Sequence, residues 1–162
     1  QTTIDIFKYL RNKFDNVGLV LQSYLYRTEQ DVEDLRANLR LVKGAYKEPK
    51  EVAFPLKADV DAMLIKTIEM QLLNGDYVAV ATHDLNIINH TKEFAVNHNI
   101  PRDKYEFQML YGICTNLQKQ LVTEGYTVRV YVAYGTDWFG YFMRRLAERP
   151  ANVMFVLKNL FK

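Results

Sequence analysis

Tyr77-Val78-Ala79-Val80-Ala81-Thr82-His83-Asp84 is a short apolar run that exits through polar residues straight into the helical pattern of residues 85–97. Five β-favouring residues ending at a capping sequence read as one strand, and Asp84 is placed to accept from the first helical N–H groups. A strand that feeds a helix without an intervening loop opens a βαβ unit.

The alternation extends in both directions. Apolar, β-favouring runs recur at 17–21, 39–42, 105–109 and 128–132, with helical patterns between them at 28–36, 56–73 and 113–124. The 56–73 segment carries apolar residues at 60, 63, 64, 68 and 72, and Asn74-Gly75 closes it as a C-cap. Ahead of the first strand, Ile4, Phe7, Leu10 and Phe14 are spaced as one helical face. The chain opens on Gln1 inside this pattern, not on Met, which is how the remainder of something longer reads. After the last strand a helical pair is read at 137–148 and 152–161, broken by Pro150. This order predicts parallel pairing. The short, nearly continuous apolar runs predict a sheet covered on both faces.

Composition narrows the function classes. Of 162 residues, 49% are hydrophobic and 25% charged, ordinary for a globular domain and unlike a disordered tail or a disulfide-rich miniprotein. The net charge of +2 supplies no general field for gripping nucleic acid, so no such partner is expected. A single cysteine, Cys114, cannot form an intrachain disulfide and suits a reducing compartment. No apolar run approaches roughly 18 residues, and none reads as a secretory signal.

A complete (βα)8 barrel takes about 250 residues, or about 31 per unit, so this chain supplies about five units. Two architectures fit: an open, doubly wound five-stranded sheet, or part of a barrel. Length alone favours the open sheet, which is complete at this size. Both build their sites at the carboxyl ends of parallel strands.

The strand exits carry the chemistry. Gln22 follows the first run, where its amide could serve a ring of mixed polarity; satisfying loop backbone is the plainer alternative. Arg40 sits inside the second strand, and a buried guanidinium requires an anion or acceptor nearby. Period two puts Arg40, Val42 and Gly44 on one face. Gly44 permits close backbone approach, Ala45 keeps it narrow, and Tyr46 offers a flat ring. An edge-strand Arg–carboxylate pair remains the alternative for Arg40. At the third exit, Thr82, His83 and Asp84 open a helix whose N–H groups favour phosphate; plain capping with His83 in solvent is the alternative. Glu106 and Gln108 share one face of the fourth strand, which points to a lined cavity, although a solvent-facing side reads alike. Beyond the fifth strand, Tyr141, Arg144 and Arg145 converge at i, i+3 and i+4, with Glu148 four residues after Arg144. Paired arginines beside a tyrosine could clamp a small carboxylate, or form an ordinary surface helix face. His83, His90, His98 and Cys114 lack metal-ligand spacing, so no metal is expected. Neither a Walker loop nor GxGxxG occurs.

Together these exits resemble the proline dehydrogenase (proline oxidase) family. The likeness is carried by Val20-Leu21-Gln22-Ser23-Tyr24, by Arg40 through Tyr46, by Ala81-Thr82-His83-Asp84 and by Tyr105 through Gly112. It continues through Tyr131 with Gly135 and through Tyr141 to Glu148. The resemblance implies a distorted (βα)8 barrel that holds FAD, oxidises L-proline to Δ1-pyrroline-5-carboxylate and passes electrons to a quinone-type acceptor. By the same resemblance, Arg40 reaches the flavin N5 edge as the catalytic arginine, and Gln22 lies at the isoalloxazine ring. Lys43, Gly44 and Ala45 lie near the dinucleotide, Thr82 and His83 at its pyrophosphate and adenosine end, and Glu148 in the FAD site. Val42 and Gln108 are counted with this cofactor set. Arg144 and Arg145 bind the proline carboxylate, walled by Tyr131 and Tyr141.

Family members also use a Lys and an Asp from earlier strands, and no part of this chain matches those. Residues 1–162 therefore read as the C-terminal portion of the catalytic barrel: about five parallel βα units plus C-terminal helices. The expected partners are the missing N-terminal half and, through exposed sheet edges, a homo-oligomer. The isolated chain is expected to show little or no turnover. Its expected location is cytoplasmic, with a peripheral position at the inner membrane face left open. Two alternatives stand beside this reading: a phosphate-binding barrel lyase or aldolase with Lys43 as its amine, and a non-enzymatic five-stranded α/β interaction module.

Overall fold

The structure is a computed structural model that describes residues 2–46, 48–136, 139, 140 and 143. Five strands form one sheet: β1 (Leu19–Gln22), β2 (Asn38–Val42), β3 (Tyr77–Ala81), β4 (Tyr105–Leu110) and β5 (Val128–Tyr131). Around them run α1 (Thr2–Arg11), α2 (Thr28–Leu35), α3 (Lys57–Asn74), α4 (Leu85–Asn97) and α5 (Thr115–Thr123). Every pairing is parallel, and the strand order in space is β1-β2-β3-β4-β5.

That order decides between the two architectures. A doubly wound sheet reverses direction at a switch point. Here each strand adds on the same side of the last, and right-handed crossovers that always advance one way put every helix on one face. The buried residues agree. Leu39, Leu41, Val78, Val80, Phe107 and Met109 alternate along their strands and meet Leu64, Ile68, Ile87, Ile88 and Leu121 from the helices in one core. The expectation of two covered faces is therefore corrected. The opposite face bears Val20 and Gln22 on β1, Arg40 and Val42 on β2, Ala79 and Ala81 on β3, and Glu106 and Gln108 on β4. It is the inner wall of a partial (βα)8 barrel, where Val20, Val42, Ala79 and Ala81 prolong the apolar reading of the strands and Gln22, Arg40, Glu106 and Gln108 interrupt it.

Two terminal details differ from expectation. α1 stops at Arg11, so of its stripe only Phe7 is buried and Phe14 is exposed. Arg11 turns the chain by donating to the carbonyls of Asp15 and Val17. Gly75 does cap α3, but with φ −94°, not in the left-handed region. Its glycine is required by closeness, since a Cβ there would lie 2.1 Å from the Gln71 amide nitrogen. That amide donates to the carbonyls of Ala37 (2.5 Å) and Tyr77 (3.0 Å), pinning α3 to the starts of β2 and β3. The last helical pair lies outside the described residues, apart from 139, 140 and 143. Among the described residues no helix is long and apolar enough to cross a membrane, and no cluster of three acidic, His or Cys side chains could hold a metal.

Candidate functional site

The carboxyl ends of β1, β2 and β3 surround a cleft of about 770 Å³. Gln22, Arg40 and Val42 line its wall, the Lys43-Gly44-Ala45-Tyr46 segment forms one lip, and Thr82, His83 and Asp84 form the other. Eight of the site residues expected from the sequence thus meet in one place.

Arg40 is in register with Val20 and Ala79, and the alanine leaves space beside it. Its Nε is buried and has no hydrogen-bond partner among the described residues. An unmet charged donor of this kind is costly in a finished protein, and an acceptor entering the cleft would relieve it. The edge-strand ion pair considered for Arg40 does not form among the described residues.

Gly44 adopts φ +102°, and a Cβ on it would sit 2.0 Å from the ring of Tyr24. Tyr24 is itself buried. The backbone after β2 therefore packs directly against the Tyr24 ring. Lys43 reaches across the cleft mouth, with its Nζ 2.7 Å from Asp84 Oδ2 and 2.7 Å from Asp61 Oδ1. The Asp84 contact is an aligned hydrogen bond, whereas Asp61 Oδ1 is met as a charge neighbour without that alignment. Lys57 also pairs with Asp61. The hydrogen bond from Lys43 holds Asp84 below the usual carboxylate range. At Asp61 burial pushes the other way, but Lys43 and Lys57 prevail and the carboxyl is again lowered. Bracketed by two carboxylates, Lys43 is not the free amine a lyase would need.

Asp84 caps α4 by accepting from the Asn86 N–H, as its sequence position predicts. Thr82 Oγ1 accepts from the Asp84 N–H, which leaves its own O–H to donate. His83 is not in solvent: Nε2 accepts from the Leu110 N–H at 2.9 Å. A backbone N–H can only donate, so the ring proton sits on Nδ1. Burial lowers the His83 pKa, and the imidazole enters the cleft as a neutral donor.

Gln108 stands apart from this cleft lining. Its amide donates to Glu106 Oε1, and Glu106 is buried beneath a bidentate Arg129 at 2.7 and 2.9 Å. Burial would raise the Glu106 pKa, but hydrogen bonds from Arg129, Gln108 and Tyr77 overcome it and keep the carboxylate charged. The two inward polar residues of β4 thus form an ion-pair cluster. Tyr131, at the end of β5, is partly exposed. Tyr141, Arg144, Arg145 and Glu148 lie outside the described residues.

Sequence reading missed Tyr24, Asp61 and Arg129. Arg129 carried the same signal as Arg40, a guanidinium inside an apolar strand. Nothing in the local pattern of Asp61 announces its pairing with Lys43 from another element.

The family model described as proline dehydrogenase matches residues 1–158. The chain belongs to the proline dehydrogenase family. It is 58% identical to proline dehydrogenase 2 of Bacillus subtilis (strain 168), over all of this chain and 54% of that protein. Identity is 52% to the proline dehydrogenase of Deinococcus radiodurans, over 99% of this chain and 53% of that one. The chain therefore spans about half the length of the curated relatives it matches. Among solved structures, the proline utilization A (PutA) of Bdellovibrio bacteriovorus, inactivated by N-propargylglycine, superposes with a TM-score of 0.82. Its identity is 30%, covering 89% of this chain and 18% of that one. A bifunctional PutA gives 0.81 at 26% identity, covering 97% of this chain and 19% of its own.

Proposed function

We propose that residues 1–162 form the C-terminal portion of an FAD-dependent proline dehydrogenase barrel. The reaction is oxidation of L-proline to Δ1-pyrroline-5-carboxylate, with electrons passed to a quinone-type acceptor. The observation that carries this reading is the buried Nε of Arg40, unpartnered among the described residues, in a cleft lined by residues that the resemblance assigns to the cofactor.

The cleft fits a flavin dinucleotide on its own chemistry. Its volume is in the range of small-molecule sites. It offers a cation without an acceptor among the described residues, and a neutral His83 donor and a Thr82 hydroxyl where a helix begins. FAD, when bound, supplies the capacity to accept a hydride, and the protein supplies orientation and electrostatics. Arg40 is the proposed catalytic residue, holding positive charge at the edge where electrons arrive. Gln22 and Val42 line the ring position. Lys43, Gly44 and Ala45 hold the dinucleotide backbone, and Thr82 and His83 donate to its phosphates and ribose. Gln108 and Glu148 complete the cofactor set. Tyr131, Tyr141, Arg144 and Arg145 hold proline by its carboxylate, which converts a bimolecular encounter into an oriented one.

The remaining wall comes from an N-terminal half. The proposed location is the cytoplasm, with a peripheral position at the inner membrane face left open. Co-expression with the N-terminal half of the Bacillus subtilis relative tests the reading. The expected result is a retained flavin spectrum and proline-dependent dye reduction, both lost on Arg40→Gln, with little or no turnover by the 162-residue chain alone. An assembled pair with neither flavin nor dye reduction would overturn it.

A further inference from the structure

Glu106 is the only buried carboxylate among the described residues, and it lies on the same inner face as Arg40. The two are in one register row, Arg40–Ala79–Glu106, two strands apart. Adjacent strands lie about 4.8 Å apart, so their Cα atoms are separated by roughly 10 Å. Only the methyl group of Ala79 stands between them, and that span is within the combined reach of an arginine and a glutamate side chain. A buried carboxylate and a half-buried guanidinium so placed are candidates to pair. They do not pair. Arg129, from the neighbouring β5, takes both carboxylate oxygens of Glu106 with its Nε and Nη2. Gln108 and the Tyr77 hydroxyl take the remaining acceptor capacity.

We propose that Arg129 is a positioning residue: by saturating Glu106 it keeps that carboxylate from neutralising Arg40, and so reserves Arg40 for the cofactor. The role in cofactor binding rests on the reading given above, whereas the competition for Glu106 stands on geometry alone. Removing Arg129 leaves a buried carboxylate short of its strongest donor, with the Nε of Arg40, unpartnered among the described residues, in the same register row. Removing Glu106 as well abolishes the competitor.

The competition can be read in the flavin-free chain assembled with its N-terminal half by 1H–15N spectra of the arginine Nε–H groups, with this chain alone labelled and Arg40 assigned by Arg40→Lys. In Arg129→Gln the Arg40 signal is expected to shift and its solvent exchange to slow. In Glu106→Gln/Arg129→Gln both are expected to return to the parent values. Arg129→Lys, which keeps one donor on Glu106, gives a smaller shift and serves if Arg129→Gln folds poorly. An unmoved signal, or the same change in single and double variants, would overturn the proposal, since a merely structural role predicts one of those. In the chain assembled with its N-terminal half, Arg129→Gln is expected to weaken FAD affinity about tenfold, the scale of one charged hydrogen bond, and the double variant to restore it. If Arg40→Gln leaves FAD affinity unchanged, the cofactor reading fails while the spectral result still decides the pairing. If Arg40→Gln weakens FAD and Arg129→Gln does not, the reserving role fails.

Discussion

At Gly44 a single added methyl group would occupy the space of the Tyr24 ring. The backbone there also holds φ +102°, which side-chain-bearing residues rarely adopt. Gly44→Ala is therefore expected to destabilise by about 3 kcal/mol, from overpacking and backbone strain together. Chemical denaturation checks it, and a loss below the ordinary surface-mutation range would show that the loop simply moves. Charge at the same mouth sets a pH dependence. His83, Asp61 and Asp84 all have folded pKa values below their unfolded ones. The folded state then binds fewer protons, and stability rises with pH. The His83 contribution is present above about 6.5 and is lost as pH falls through its lowered folded value. The Asp contributions are present above about 3.9 and are lost only at stronger acid. Unfolding midpoints measured against pH should therefore fall in two stages. His83→Gln is expected to remove the upper stage and Asp84→Asn to shrink the lower. An unchanged upper stage in His83→Gln would contradict burial as its cause.

Helix α3 illustrates how much of an element local pattern reveals. Of its apolar stripe Val60, Leu64, Ile68 and Leu72 are buried, and Met63 is half-buried. The pattern did not reveal that Thr67 and Gln71 are buried too. Thr67 bonds within its own helix, whereas Gln71 serves carbonyls on two strands. Polar residues of that kind have partners distant in sequence, so periodicity is blind to them. Gln71→Met keeps the volume and strands both carbonyls, and a loss of about 2 kcal/mol is expected. A neutral result in denaturant unfolding would mean water replaces the amide. The same blindness explains α1. Its spacing was helical, yet only Phe7 is buried, because helical periodicity defines a face without saying what covers it.

The whole molecule is a barrel wall with β1 and β5 each paired on one side only among the described residues. Unpaired edges are templates for further pairing. The isolated chain is expected to self-associate with rising concentration, and the N-terminal half to convert it to a one-to-one complex. Light scattering after size exclusion checks both. A monodisperse monomer indifferent to the added half would count against edge pairing. Self-association through the edges also bears on turnover, because it would close the sheet without supplying the missing wall of the site.

The order and nature of the elements were written in the sequence, because strand and helix periods, the Asp84 cap and the polar strand exits are local properties. The eight cleft residues were legible for the same reason: parallel strands deliver their exits to one rim whichever sheet they join. Strand and helix periods left an open sheet and a barrel equally possible; the family resemblance implied the barrel, and the tertiary structure shows it, with the strands in sequential order. Tertiary structure alone decided that Lys43 is held by two carboxylates and that Arg129 takes Glu106 while Arg40 Nε is left without a partner among the described residues. Each of those outcomes is a competition between groups far apart in the chain, settled by register and distance.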